Sequence, residues 1–303
     1  MSLKIAITGS TGMVGRETVA FFRRHGHTVT PFVRKETRFN SPEPVIRWDI
    51  PSGEVDLNNL EGHDTIIHLA GANIAAGKWT ARYKELIRSS RTEGTAVLAT
   101  AIAKMKKKPR VFLSASAIGY YGPHNPDVTV DEKAPPAEDF LAKVCADWEK
   151  AAAPAVDAGV RTVFMRIGTV MGKNGGALGK MLPIFRAGLG GVLGSGRQVM
   201  SWVALADLPL MMQHCIERAD IKGPVNFVSP SAVSNREFTG ILGKAIARPV
   251  IFPVPSFGLR ILYGEMADAL LLNGARIKPG VLESSGYGFR YTNLESALQA
   301  CLS

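Results

Sequence analysis

An apolar run from Leu3 to Ile7 passes straight into Thr8-Gly9-Ser10-Thr11-Gly12-Met13-Val14-Gly15, and from Met13 to Arg24 apolar residues recur at helical spacing. Three glycines, each three residues apart, between a buried strand and a helix suit a tight turn that something approaches closely. Gly9 permits the reversal, Gly12 leaves the backbone bare for a pyrophosphate, and Gly15 lets the helix close on the strand. The first helical N–H groups and the positive end of the helix dipole then face the phosphates. Thr11, Met13 and Val14 complete this expected phosphate turn.

The segments that follow alternate between strand and helix patterns. Thr28 to Val33 reads as a second strand ending at Arg34. In dinucleotide folds that strand end meets the adenosine ribose, where an acid favours NAD and an arginine accommodates the 2′-phosphate of NADP. Arg34 therefore points to NADP, since a guanidinium can grip phosphate with two hydrogen bonds.

Val45 to Trp48 is a short third strand, and Thr65 to Leu69 a fourth, running into Ala70 and Gly71. Leu69, Ala70 and Gly71 are small enough in sum for the cofactor to pass over the backbone, while His68 reads as a packed or hydrogen-bonded residue. Trp79 to Ala103 is helical and carries Arg91 on the side expected to face the cofactor. A fifth strand from Arg110 to Leu113 ends at Ser114-Ala115-Ser116 and precedes Tyr120 and Tyr121; Asp139 to Ala158 is a helix that Pro154 kinks or splits, and Arg161 to Ile167 is the next strand.

This alternation predicts an α/β fold, a Rossmann-like doubly wound parallel sheet with helices on both faces and a smaller carboxy-terminal substrate lobe. The expected division is an NADP-binding domain over 1–170, its sheet completed by 201–230, and a substrate-side loop and lobe over 171–303. Gly172 to Gly196 reads as a glycine-rich binding loop or lid. Leu205 to Arg218 is a helix and Val225 to Val228 a strand returning to the sheet; Glu237 to Ala247, Phe257 to Leu272 and Leu294 to Leu302 are the helices of the lobe.

Composition narrows the partners. Hydrophobic residues at 46% and charged residues at 20% suit a soluble globular protein, and no apolar run reaches the ~18 residues of a membrane span. The start, Met1-Ser2-Leu3-Lys4, leaves no room for a signal peptide before the first strand, so a cytoplasmic protein without a membrane partner is expected. Cys145, Cys215 and Cys301 are too few and too scattered for a disulfide framework or a metal site. A net charge of +10 admits nucleic acid as well as an anionic cofactor. No zinc-finger, RNP or basic-zipper pattern accompanies it, and Lys104, Lys106, Lys107 and Lys108 suit a helix end, so no nucleic-acid partner is expected. The oligomeric state stays open.

The chain resembles the extended branch of the short-chain dehydrogenase/reductase superfamily, and more closely its atypical, epimerase-like NADP-binding family. His68-Leu69-Ala70-Gly71, Trp79, Ser90-Arg91 with Gly94-Thr95, Arg166-Ile167-Gly168, Gly175-Gly176, Gly194-Ser195-Gly196, Gln198, Trp202, Asp207, Gly264-Glu265-Met266-Ala267 and Pro279 to Gly286 carry the resemblance across nearly the whole chain. It implies NADP contacts at Gly9 to Gly15, Val33-Arg34, Leu69-Ala70 and Arg91, a small polar substrate of the nucleotide-sugar class, and Ser116 as the catalytic serine.

One departure is chemical. The superfamily's Tyr-x-x-x-Lys pair, whose lysine lowers the tyrosine pKa from about 10, is replaced by Leu141 and Cys145. Lys143 is out of register on the far side of the helix, so a proton would have to come from Tyr120, Tyr121, a water or the substrate itself, and wall packing is an equal reading of the two tyrosines. Two functions follow: an NADP(H)-dependent oxidoreductase or epimerase-like enzyme, or an NADP(H)-binding sensor or interaction protein that has lost turnover.

Overall fold

The computed structural model describes residues 2–37 and 43–302; Met1 and Ser303, the outer limits of the two expected domains, lie outside the described residues. Strand β1 (Lys4–Thr8) sits inside an eight-stranded sheet. In chain order the sheet continues with β2 (Thr28–Arg34), β3 (Ile46–Asp49), β4 (Glu54–Val55), β5 (Thr65–His68), β6 (Val111–Ala117), β7 (Thr162–Ile167) and β8 (Gly223–Phe227). In space the order is β8-β7-β6-β5-β1-β2-β3-β4, parallel throughout except for the antiparallel β3–β4 pair at one edge.

The chain moves from β1 outward through β2, β3 and β4, then crosses back to lay β5 against the other side of β1. The carboxyl ends of β1 and β5 are therefore the point where the winding reverses, and the two loops leaving them diverge to open a crevice. The glycine turn leaves β1, and Leu69-Ala70-Gly71 leaves β5.

Alternation along the strands feeds two cores. Ile5, Ile7, Ile67, Leu113 and Met165 face Phe21 and Phe22 of helix α1 (Met13–Arg24) and Leu208, Met211 and Met212 of the Leu208–Glu217 helix. Ala6, Ile66 and Phe112 face the opposite layer, where Leu98, Ala99 and Ile102 of helix α2 (Ala81–Lys104) pack. Thr80 caps α2, accepting from the Tyr83 N–H, and Asp139 caps helix α3 (Phe140–Lys150) by accepting from Leu141 and Ala142. Pro154 splits the expected Asp139–Ala158 helix: α3 ends at Lys150 and a short helix resumes at Ala153–Asp157.

A third core, around the fully buried Trp202, unites the Gly176–Arg186, Asn235–Ala245 and Leu294–Leu302 helices. The first of these corrects the expectation of a continuous loop from Gly172 to Gly196. Gly176, Gly179 and Pro183 depress helix propensity, but Leu178, Leu182 and Phe185 share one face and all are buried, so tertiary packing prevails. The expected Phe257–Leu272 helix breaks at Gly264, whose φ of +58° separates Ser256–Tyr263 from Glu265–Ala267.

Candidate cofactor and active site

Each glycine of the first turn stands in a different environment. Gly9 has φ +68°, and a Cβ there would lie 2.8 Å from the Leu69 carbonyl carbon. A Cβ on Gly15 would lie 2.1 Å from the Gly9 carbonyl oxygen, so the start of α1 rests directly on the turn. Gly12 differs: a Cβ there would meet only the Gly9 oxygen, at 3.3 Å. The protein's own packing thus requires glycine at 9 and 15 and hardly at 12, which leaves a bare cradle beside the Met13, Val14 and Gly15 N–H groups, first-turn donors without intrahelical acceptors.

Across the crevice, Thr8 fixes the facing loop. Its Oγ1 accepts from the backbone N–H groups of Leu69 (3.0 Å) and Ala70 (3.2 Å), so its own proton is directed to His68 Nδ1 at 2.8 Å. His68 Nε2–H then donates to Thr95 Oγ1 at 3.0 Å, which also accepts from Trp148 Nε1 at 2.9 Å. His68 is thus the hydrogen-bonded, fully buried residue anticipated from sequence, and burial pushes its pKa down to about 4.

The unfolded chain takes up a proton near pH 6.5 and the native imidazole does not until about pH 4, so this site costs stability as pH falls through that window, on the order of 3 kcal/mol. Asp207 acts oppositely: burial raises its carboxyl to about 6, and its cost appears as pH rises from 3.8. Because the two offset each other in bulk stability, the test is local. Long-range nitrogen–proton NMR should show His68 protonated at Nε2 and not titrating above about pH 5; an imidazole that charges near pH 6.5 would contradict the network.

Arg34 is exposed at the carboxyl end of β2, in register with Trp48, and its guanidinium has no hydrogen-bond or ion-pair partner among the described residues. Its neighbour Lys35, by contrast, pairs with Glu54 at 2.8 Å. Val33, half-buried, precedes it. Arg91, half-buried on α2, donates to the Ile87 carbonyl at 3.0 Å and lies 5.0 Å from the Trp148 ring; a Cβ on Gly71 would come within 3.4 Å of its guanidinium carbon. The structure therefore gathers Gly9 to Gly15, Leu69 to Gly71 and Arg91 at the winding reversal, with Arg34 one strand away. Met13 reaches the other wall: a Cβ on Gly172 would lie 2.8 Å from its sulfur and one on Gly176 3.0 Å from its methyl. Lys180 of the Gly176–Arg186 helix also donates to the Ala75 carbonyl.

The end of β6 holds a polar cluster that the sequence did not reveal. Ser116, 2% exposed, donates to Glu149 Oε1 at 2.7 Å. The same carboxylate grips Arg166 through Nε (2.8 Å) and Nη2 (2.9 Å). Arg166 Nη1 donates to the Tyr121 hydroxyl at 2.9 Å, and that hydroxyl donates to Asn226 Oδ1 at 2.7 Å. Burial pushes the Tyr121 phenol up to about 12 although Arg166 opposes it. Tyr120 is half-exposed, with the Arg166 guanidinium carbon 3.5 Å from its ring centre.

Glu149 and Arg166 had a sequence signal: an arginine inside the apolar strand Thr162–Ile167 needs a buried anionic partner. Leu141 and Cys145 face the turn after β6, since a Cβ on Gly119 would lie 3.4 Å from Leu141 Cβ and 3.8 Å from the Cys145 sulfur. The Cys145 thiol is pushed up to about 12 by burial, with Glu149 adding to the shift. Exposed Lys143 instead approaches Glu138, at 3.7 Å. Among the described residues no three His, Cys, Asp or Glu side chains cluster to hold a metal.

Comparison with known proteins agrees with this architecture. Residues 5–227 match the family described as "NAD dependent epimerase/dehydratase family", and residues 254–301 match a domain of unknown function, DUF1731. The chain is 40% identical over 294 residues to the epimerase family protein Mb2239 of Mycobacterium bovis, covering 97% of this chain and 96% of the relative. A crystal structure of human epimerase family protein SDR39U1 (isoform2) with NADPH is 31% identical, covers 99% of each chain and superposes with a TM-score of 0.88. Thermus thermophilus UDP-glucose 4-epimerase in complex with NAD, 18% identical, shares the fold at a TM-score of 0.75 over 98% of this chain and 97% of that one. The chain belongs to the NAD dependent epimerase/dehydratase family.

Proposed function

We propose that the chain is an NADP(H)-dependent oxidoreductase or epimerase-like enzyme acting on a small polar substrate, with nucleotide sugars as the first class to try. The bare cradle at Gly12 carries the reading: nothing inside the protein requires glycine there, whereas a pyrophosphate over the α1 N-terminus does. Leu69, Ala70 and Gly71 form the facing wall, Arg91 supports it, and Val33-Arg34 receives the adenosine end, with the Arg34 guanidinium on the 2′-phosphate. The bound nicotinamide supplies hydride exchange.

The human relative crystallised with NADPH supports this choice of cofactor. Calorimetric titration tests it. Charge-assisted hydrogen bonds contribute about 1.5–3 kcal/mol, so Arg34→Ala should weaken NADPH by about ten-fold or more and leave NADH nearly unchanged. Equal losses for both cofactors would overturn the assignment.

For the chemistry, Ser116 already gives its proton to Glu149 and offers a substrate only its lone pairs, a geometry suited to accepting from a substrate hydroxyl. Tyr121 is committed to Arg166 and Asn226 and positions that cluster. Tyr120 is the candidate whose hydroxyl has no partner among the described residues, and in this reading it exchanges the proton. Tyr120→Phe should lower turnover on the order of 10²-fold, and Ser116→Ala should lower it by up to about ten-fold, while NADPH still binds.

The sensor reading has its own observation in its favour: Leu141 and the Cys145 thiol occupy the face where the superfamily's dyad would stand. A screen of carbonyl compounds and nucleotide sugars by NADPH absorbance separates the two. Turnover that falls in the Ser116 and Tyr120 variants supports the enzyme, and binding without turnover on any compound supports the sensor.

A further inference from the structure

Two stretches meet on one side of the carboxy-terminal lobe. Val254 donates to the Val192 carbonyl and accepts from the Gly194 N–H, both at 2.9 Å, and Arg248 Nε donates to the Arg186 carbonyl at 3.0 Å. On these stretches Ile184, Leu189, Ile251, Phe252, Phe257 and Ile261 are 49% to 77% exposed, and the Ser256–Tyr263 helix buries only Leu259. Large apolar side chains collected in this way are uncommon on the surface of a monomer and mark a contact with a partner or a membrane.

The charge pattern decides between occupants. There is no acidic residue between Asp157 and Asp207, nor between Glu237 and Glu265. Arg186 and Arg248, both exposed beside the patch, have no carboxylate partner among the described residues. A two-fold contact with a second copy would set these cationic stretches against each other, whereas an anionic bilayer complements them. No helix among the described residues is long and apolar enough to cross a membrane, so the chain would lie on such a surface.

We propose that this face binds peripherally to an anionic phospholipid bilayer. Phe252, Phe257 and Ile261 enter the boundary between headgroups and acyl chains, and Arg186 and Arg248 meet the lipid phosphates. The expectation of no membrane partner rested on the lack of a spanning segment, and the proposal concerns surface attachment alone.

Co-sedimentation of the full chain with vesicles of equal parts phosphatidylglycerol and phosphatidylcholine, and of phosphatidylcholine alone, tests the proposal. Binding should favour the anionic vesicles by about ten-fold or more and weaken with salt. Arg186→Glu with Arg248→Glu should reduce it by at least about five-fold per cation, and Phe257→Asp with Ile261→Asp should abolish it, with circular dichroism unchanged. Absence of binding to the anionic vesicles, or binding that neither pair of substitutions affects, would overturn the proposal. So would a concentration-dependent dimer that the Phe257 and Ile261 substitutions dissociate in a chain that ignores vesicles.

Discussion

Gly12→Val is expected to fold and to lose NADPH binding altogether. The substituted Cβ would meet only the Gly9 carbonyl oxygen, 3.3 Å away, a contact that a displacement of a few tenths of an ångström relieves. Its methyls would then fill the space the pyrophosphate needs. Gly15→Ala is the informative control. Its Cβ would stand 2.1 Å from the same oxygen, so α1 must move off the turn and the fold itself should suffer, by about 1–3 kcal/mol. Circular dichroism, thermal melting and calorimetry together check both variants. A Gly12→Val chain that binds NADPH like wild type would make the turn purely structural.

The second large effect is expected at Glu149. Arg166 is 3% exposed, and Glu149→Ala would leave its guanidinium with the Tyr121 hydroxyl, a long contact to the Glu132 carbonyl at 3.5 Å and the Tyr120 ring, but no counter-charge. Removing one partner of such a pair costs about 3–5 kcal/mol, which for a chain of this size lowers Tm by roughly 10 °C. Replacing both, as Glu149→Leu with Arg166→Met, should recover much of that loss, because the greater part is the penalty of an unpaired buried charge. A single variant that melts within about 2 °C of wild type would mean that water reaches and solvates Arg166. The same variant frees the Ser116 proton, so activity on any substrate found would change through the orientation of Ser116 as well as through stability.

Much of the fold was legible because each local signal agreed with the final packing. The strands at Leu3–Ile7, Thr28–Val33, Thr65–Leu69 and Arg161–Ile167 were apolar runs that the sheet buries on both faces, and the glycine turn located the winding reversal. The Gly176–Arg186 helix was hidden because its glycines and Pro183 argue against helix locally, and tertiary packing, with residues as distant as Phe238 and Leu298 in the same core, rewards its formation. In the site, the Gly9 to Gly15 turn could be read from adjacent residues. The Thr8–His68–Thr95–Trp148 chain and the Ser116–Glu149–Arg166–Tyr121 cluster join residues tens of positions apart, and neither spacing nor periodicity encodes such meetings. Even so, Arg166 in an apolar strand posed the right question, since a buried cation requires an answering carboxylate.

In the proposed complex NADP(H) lies across the carboxyl edge of the sheet, with its pyrophosphate on the Gly12 cradle and its 2′-phosphate on Arg34. Electron density from crystals grown with NADPH tests it most directly. The pyrophosphate should lie within hydrogen-bond distance of the Met13, Val14 or Gly15 N–H groups and the 2′-phosphate in contact with the Arg34 guanidinium. A dinucleotide lying away from the β1–β5 crevice, or one whose 2′-phosphate is held without Arg34, would contradict it.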